Sequence, residues 1–398
     1  MVLGLIWLFV LPGTSVGQEP EPIDAEPNPT TNRWWFESAD IGGYRAAAHE
    51  FAWDQNRVRL WGLGRGYFST DGRVEFTGQE TTFGAEAQVL ADWTSEHDSF
   101  WTGATCEAYL NQPFDRNLLI DDPTRASFAS NFDVDTFELS QMFVSIGRDN
   151  WVLDVGRFVT PFGRYYGPLF SNARSDGSFI RTESILWRES GLQLRYNPGI
   201  WRFAAALVNG SSGRDTNSSK GIIARAGFDL PNWVGGASAK QQDGIGSESQ
   251  KEFNNHVGID LAWRSGNFML AGEAIYDQYG LRRPGTDLND IFWGRSLYHR
   301  QLNNGLNQPL EGVGWYLNAI WTFSRSRTVL GFGQFHPEPI GDRIHDTVIS
   351  RLLAKQTWML SERVECYGTA FLENSVESFT LGHDRMGHSI MSGLQFHY

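Results

Sequence analysis

The chain has 398 residues and a formal net charge of −13, from 33 lysines and arginines against 46 aspartates and glutamates. This acidic balance argues against nucleic-acid binding, because a nucleic-acid-binding protein must neutralise phosphates. Hydrophobic residues make up 41% of the chain. Even so, the only long apolar run, residues 2–11, has about half of the ~20 residues that a membrane-spanning helix needs. A protein of this composition does not cross a membrane as helices.

The N-terminal apolar run has the length of a signal-peptide core and precedes a small-x-small cleavage site, Ser15-Val16-Gly17. The positive charges that usually precede such a core are missing. We expect a signal peptide over residues 1–17, then a linker rich in proline and acidic residues and an N-terminal segment over 18–56. Within it, residues 33–56 fit an inward plug, a short helix or an extension of the first strand.

From about residue 57 the apolar residues recur with period two, which is typical of strands. In FGAEAQVLADW, for example, Phe83, Val89 and Trp93 share one face while Glu86 and Asp92 share the other. We predict one barrel over residues 57–398. Its sixteen strands span about 57–67, 82–93, 100–110, 136–147, 151–159, 190–197, 200–208, 221–229, 233–241, 254–264, 267–279, 312–323, 327–336, 347–358, 363–373 and 388–398.

The connections between these strands alternate strictly between short and long. Bacterial outer-membrane barrels have this layout, with tight periplasmic turns and long outer loops. The predicted fold is therefore an all-β, transmembrane, antiparallel β-barrel of about 16 strands in the bacterial outer membrane. All ten prolines beyond the linker fall in predicted loops or turns, as expected of a residue that cannot donate to a sheet ladder.

Tryptophans cluster at the short turns, as expected of an aromatic belt at the level of the lipid headgroups. Trp101 is the exception, because it has the parity of the barrel interior. The tryptophans concerned are Trp93, Trp101, Trp151, Trp201, Trp233, Trp263, Trp321 and Trp358.

The last predicted strand ends in MSGLQFHY, with Leu394, Phe396 and Tyr398 on one face. A barrel leaves no edge open, so its final strand must pair with its first. Outer-membrane barrels as a class resemble this ending, which their assembly machinery reads. We expect Phe396 and Tyr398 to form that assembly signal.

Residues 137–210 resemble the phosphate-selective porin O and P family. The resemblance lies in GRFVTPFG at residues 156–163 and RESGLQ at residues 188–193, which match runs of that family at the end of one strand and the start of another. It implies a sixteen-stranded, usually trimeric channel whose third outer loop folds into the pore. Phosphate-selective members carry an arginine ladder and lysines along the lumen, whereas this chain has only four lysines.

Strand parity places charges of both signs inside the barrel, as in a general aqueous pore. Arg157 has the parity of the lipid side, which indicates a bulge or a misassigned strand there. The residues expected on the lumen wall include Arg57, Arg59, Arg195, Arg202, Arg225, Arg264 and Arg351, with Glu86, Glu107, Asp154, Asp229, Asp260, Glu273, Asp277 and Glu365.

The third long loop, residues 160–189, concentrates arginines and carboxylates. Charged rings in a narrow pore discriminate between ions, so we expect this loop to form the constriction, although ordinary solvated charges are the alternative. The candidate constriction residues are Arg164, Arg174, Arg181, Arg188, Asp176 and Glu183, joined by Glu189.

The sequence thus predicts a porin for passive diffusion of small hydrophilic solutes, with weak anion preference that could include phosphate or other oxyanions. It predicts no enzyme, metal or cofactor. The expected partners are outer-membrane lipid, the assembly machinery and, by the resemblance, two further copies in a homotrimer. The alternatives are a barrel that serves as a structural anchor or adhesin and, with less support, an outer-membrane hydrolase.

Overall fold

The computed structural model describes residues 49–72, 80–113, 137–163, 188–209, 220–242, 254–279, 310–339, 348–361, 363–376 and 385–397. These residues form seventeen strands. The strands are β1 (His49–Trp53), β2 (Asn56–Gly72), β3 (Glu80–Glu96), β4 (Trp101–Pro113), β5 (Phe137–Arg148), β6 (Trp151–Val159), β7 (Arg188–Tyr196), β8 (Trp201–Val208), β9 (Gly221–Asp229), β10 (Trp233–Gln241), β11 (Asn254–Ser265), β12 (Phe268–Tyr279), β13 (Leu310–Thr322), β14 (Ser326–Pro339), β15 (Val348–Ser361), β16 (Val364–Val376) and β17 (Arg385–His397).

Strands β2 to β17 form a closed antiparallel ring. Each pairs with the next along the chain, and β17 pairs back onto β2 from His397↔Leu63 to His388↔Gly72. The prediction of a single barrel of about sixteen strands is confirmed. No helix within the described ranges is long and apolar enough to cross a membrane.

Strand β1 is additional to the sixteen strands of the ring and lies outside it. It forms a hairpin with the start of β2, from His49↔Leu60 to Trp53↔Asn56. The described part of residues 33–56 is therefore a separate short strand followed by a turn and the start of β2, which differs from a plug, a helix or a simple extension of the first strand. The predicted signal peptide and most of the predicted linker lie outside the described residues.

Alternate residues of each strand face the inside and the outside of the ring. In β6, Asp154 is 1% exposed and faces inward, while its neighbour Val155 is 41% exposed. The outer face is a band of exposed apolar side chains, such as Val144, Leu194 and Ile259. An exposed apolar band of this kind is typical of a barrel surface that contacts lipid.

Aromatic rings form a girdle at the short-turn end, on the outer face. Trp151 stacks on Tyr196 with ring centroids 4.1 Å apart, and Phe268 lies 5.1 Å from Trp321. Indole rings are half apolar and carry one N–H, so this level of a membrane suits them. Trp151 and Trp321 thus lie on the outer face beside short turns, where the belt was predicted.

The expectation that every proline lies in a loop was wrong for three of them. Pro113 ends β4, and Pro337 and Pro339 lie in β14. Each lies beyond the last pair on one side of its strand, because β4 pairs with β5 only as far as Leu110 and β14 with β15 only as far as Phe335. A proline is tolerated there because its missing N–H has no neighbouring strand to serve.

At Arg157 the strand is distorted but not bulged. The pairs Met142↔Arg157 and Arg157↔Ser190 continue the registers of the flanking strands without a shift. The distortion is at Gly156, whose φ of +136° is one that residues with side chains rarely adopt. Beyond Gly156, Phe158 and Val159 are both buried, so strict alternation ends there.

Candidate functional site

The inner face of the barrel carries charged side chains in closed pairs. On β6 and β7, the Asp154 carboxylate forms an ion pair with Arg195: Nη2 donates to Oδ1 over 2.9 Å, and Nε lies 2.8 Å from Oδ2. Ser145 Oγ donates to the same carboxylate over 2.7 Å and Gln193 Nε2 over 3.1 Å. Hydrogen bonds between oppositely charged groups are about twice as strong as those between neutral ones. The charge of Arg195 is therefore neutralised by Asp154 within the wall.

A second pair joins β9 to β11 across β10. Arg225 Nη2 donates to Asp260 Oδ1 over 2.8 Å, and its Nη1 contacts Oδ2 of the same carboxylate and donates to Ser238 Oγ over 2.8 Å. Both side chains are almost fully buried. Nearby on β12, Glu273 accepts a bond of 3.2 Å from the Tyr316 hydroxyl.

A third pair joins the start of β7 to the end of β10. Lys240 Nζ contacts Glu189 Oε1, and both side chains have zero exposed surface. Lys240 is also the cross-strand partner of His256, which is 1% exposed. Burial of two ions is tolerated when they meet directly, because each replaces the water that the other has lost.

The chain that leaves β6 turns into the barrel instead of continuing along the wall. The Gly163 N–H donates to Ser238 Oγ of β10 over 3.0 Å, although four strand-to-strand steps separate β6 from β10. Phe162 is 2% exposed, and its ring is placed so that a Cβ on Gly258 would be 3.2 Å from its Cζ. Residues 160–163 are therefore docked on the inner wall.

The predicted lumen-wall residues differ in location: four are buried on the inner face, and Arg202 lies at the short-turn end. Arg195, Arg225, Asp260 and Glu273 lie on the inner face and are buried. Arg202 lies at the short-turn end instead, where it donates to the carbonyl of Gly199 and to that of Trp201, the latter over 2.9 Å. Its guanidinium is 3.8 Å from Asp229.

The predicted constriction cannot be placed in the same way. Arg164, Arg174, Asp176, Arg181 and Glu183 lie outside the described residues. Arg188 begins β7 as the partner of Val159.

Lys240 and Ser238 of β10 also lie on the inner wall, and so does Phe162 after β6, although the sequence did not predict these positions. The parity of Ser238 and Lys240 could have been predicted from Trp233, Ala237 and Ala239 on the opposite face of β10, but the glycines and alanines of that strand obscure the alternation. Among the described residues, no group of three or more histidines, cysteines, aspartates or glutamates lies together as a metal site would require.

The fold is similar to that of solved outer-membrane proteins. No protein-family model and no curated protein matches the chain. OmpF of Salmonella typhi, solved with daunomycin, is similar with a TM-score of 0.60 and 11% identity over 88% of this chain and 100% of that one. The chain has an outer-membrane porin fold.

Two further structures support the same conclusion. The trimer form of OmpT, an outer-membrane protein of Vibrio cholerae, has a TM-score of 0.59 and 10% identity, covering 87% of this chain and 100% of that one. The outer-membrane channel DcaP of Acinetobacter baumannii has a TM-score of 0.58 and 11% identity, covering 86% of this chain and 97% of that one. At such identities the similarity concerns the fold.

Proposed function

We propose that this protein is an outer-membrane porin through which small hydrophilic solutes diffuse passively. The observation that carries the proposal is a closed ring of sixteen strands that is apolar outside and lined with polar and charged side chains inside. Polar side chains on the inner face of a membrane barrel are typical of a water-filled passage. The similar folds of OmpF and of the channel DcaP support it.

The second part of the proposal is that the third long loop narrows the pore. The inward docking of residues 160–163 supports this, since Gly163, the last described residue before the loop, is bonded to Ser238 on the inner face of β10. The resemblance of GRFVTPFG and RESGLQ to the phosphate-selective porin O and P family has the same implication. Arg164, Arg174, Arg181 and Arg188, with Asp176 and Glu183, are the proposed constriction residues.

Weak anion preference with broad permeability follows from these charges. The wall arginines Arg195 and Arg225 are each paired with a carboxylate, so the wall itself offers little net field. Arginines of the loop would then dominate the narrowest point, because charges farther than about 8 Å are screened at physiological salt. Small oxyanions, phosphate among them, would pass without a tight site.

Reversal potentials in a KCl gradient across planar bilayers test this selectivity. We expect a small anion preference in the native protein that falls when Arg174 and Arg181 are both changed to alanine. Arg148 and Arg363, exposed at the short turns, provide the matched control: changing both to alanine removes the same charge and should leave the reversal potential unchanged. Strong cation selectivity, or an equal shift in both double variants, contradicts the assignment of the loop.

Assembly and partners complete the proposal. Phe396 is half exposed on the outer face of β17 and pairs with Gly64 of β2, as suits a residue presented to assembly machinery and then to lipid. Tyr398 lies outside the described residues. We propose a homotrimer by the family resemblance, and the trimer form of the Vibrio cholerae protein supports it.

One observation favours the alternative of a structural anchor or adhesin. Inward-facing polar side chains such as Asp154, Glu189 and His256 have 1% exposure or less, whereas an open lumen would wet its wall. Single-channel conductance of the purified protein decides between the two functions. Ohmic channels support the porin, and a silent bilayer containing folded protein supports the anchor.

A further inference from the structure

The N-terminal end of β1 meets the C-terminal end of β17 in the wall of the barrel. Both strands pair with the same edge of β2, since its other edge pairs with β3 throughout. The pairs that face each other are His49↔Leu60 and His397↔Leu63. Leu60 and Leu63 are three residues apart, or about 10 Å at the rise of a strand. The wall has no room there for the chain that precedes His49, so this chain must leave the sheet.

The outer side of the barrel does not accommodate this chain. Phe51 lies in one row with Val58 and Trp93 on the outer face. Phe51 and Trp53 are 54% and 49% exposed, so the outer face of β1 is open. Residues 33–48, outside the described part of the chain, carry charged side chains, which are costly in hydrocarbon. These are Arg33, Glu37, Asp40 and Arg45. The chain therefore leaves the wall toward the inside of the barrel.

The inner wall carries an apolar patch close to the short turns. Ala262, Met269, Ala271 and Ile320 of β11 to β13 pack together there and are at most 8% exposed, with Val329 of β14 against them. Met269 is the second residue of β12, and Ile320 is the third from the end of β13. A water-filled lumen would leave such side chains wet. This inner apolar patch is therefore covered from within the barrel.

Residues 33–48 approach the inner apolar patch from the short-turn end, whereas the long loops start at the opposite end of the strands. The segment leaves the wall beside Leu60, near the start of β2. The loop after β12 begins beyond Tyr279, ten residues from Met269, or about 34 Å of strand. A ring of sixteen tilted strands is roughly 30 Å wide. Sixteen extended residues span up to about 50 Å, so the segment is long enough to cross the barrel.

We propose that residues 33–48 enter the barrel and dock on the inner apolar patch as an internal plug that narrows the pore at the short-turn end. Aromatic side chains of the segment supply the apolar contact, and these are Trp34, Trp35 and Phe36. Arg264 and Arg327 flank the patch through the pairs Arg264↔Met269 and Thr322↔Arg327. They match in charge the acidic side chains of the segment. The docking depends on the wall geometry alone, whereas its effect on passage rests on the proposed pore.

Cysteine labelling of the inner apolar patch tests the docking without relying on conductance. Ile320→Cys, in a chain whose two native cysteines are changed to serine, should react slowly with a charged thiol reagent in detergent micelles. Changing Trp34, Trp35 and Phe36 together to serine should accelerate this reaction by about tenfold or more, as expected when a buried side chain becomes exposed. Leu317→Cys, on the outer face of the same strand, should react at one rate with or without the serine changes, which shows that the barrel remains folded.

Two deletions of nearly equal length extend the test. Deletion of residues 33–48 should accelerate labelling of Ile320→Cys as the serine changes do, and deletion of residues 18–32 should leave it slow. Equal labelling with and without the aromatic side chains would overturn the plug, since another part of the chain would then cover the patch. In bilayers, deletion of residues 33–48 should raise the single-channel conductance, and an unchanged conductance would refute the narrowing. Faster labelling in a protein that conducts no current would refute the pore and leave the docking standing.

Discussion

Removal of the Lys240 ammonium tests how strongly the protein depends on the buried Lys240–Glu189 ion pair for its stability. Lys240 and Glu189 meet with no exposed surface on either side chain. Lys240→Met keeps the length of the side chain and removes its charge. The Glu189 carboxylate would then remain inside the barrel without the cation that compensates the loss of its hydration.

We expect Lys240→Met to lower the free energy of unfolding by about 3–5 kcal/mol, the usual effect of removing one partner of a buried ion pair. The pair should be dispensable as a unit, because apolar residues of similar volume often replace buried pairs without loss. Adding Glu189→Leu to Lys240→Met should therefore restore most of the stability.

Guanidinium unfolding in detergent micelles, followed by tryptophan fluorescence, measures these differences. Lys220→Met is the matched control, since Lys220 is exposed beside the start of β9 and such changes usually stay within about 0.5 kcal/mol. If Lys240→Met destabilises no more than Lys220→Met does, the pair is not the buried contact that we infer. If the double variant is less stable than the single one, the charge is not the cause.

Three further predictions concern the strand geometry and the outer face. Gly156→Ala should lower stability by about 2 kcal/mol or more, because a Cβ there would lie 2.3 Å from the Met142 carbonyl oxygen at a φ of +136°, whereas Gly64→Ala, with no atom within 4 Å, should have little effect; equal unfolding midpoints in guanidinium would contradict this. Deletion of residues 396–398 should abolish outer-membrane assembly and Tyr398→Phe should not, as judged by heat-modifiable mobility of membrane fractions; normal assembly of the truncated chain would show the aromatic ending to be incidental. Cys106 and Cys366 are both free, lie on β4 and β16, and should each react with a maleimide in detergent, with no mobility change on reduction; a mass lower by two hydrogens would refute this.

The strand order could be predicted from the sequence because residues of a barrel strand alternate between the outer and the inner face. Alternation places Val144, Leu194 and Ile259 outside and Asp154 and Arg225 inside, and the tight turns fix where each strand begins. The outer ends of the strands were less predictable. Alternation continues past the membrane there, so β2 extends to Gly72 and β14 to Pro339, where one-sided pairing tolerates proline.

The pairings across the inner face were not readable in the same way. Lys240 and Glu189 are 51 residues apart in sequence and belong to strands that are not adjacent, so only the curvature of the closed sheet brings them together. The turn of the chain into the barrel after β6 depends on Phe162 finding space over Gly258, which no local pattern shows. Parity places a side chain on the correct face but does not identify its partner.

The pairing of β17 with β2 has a consequence for how the molecule forms. Leu63 and His397 are about 330 residues apart in sequence and neighbours in the sheet, and joining such distant segments carries an entropic cost of about 5 kcal/mol from the length dependence alone. No intermediate that lacks β17 can close, so each partly formed sheet presents two unpaired edges to any other chain nearby. Folding should be slow and governed by its last step. The newly made chain therefore needs protection from self-association until both edges have met.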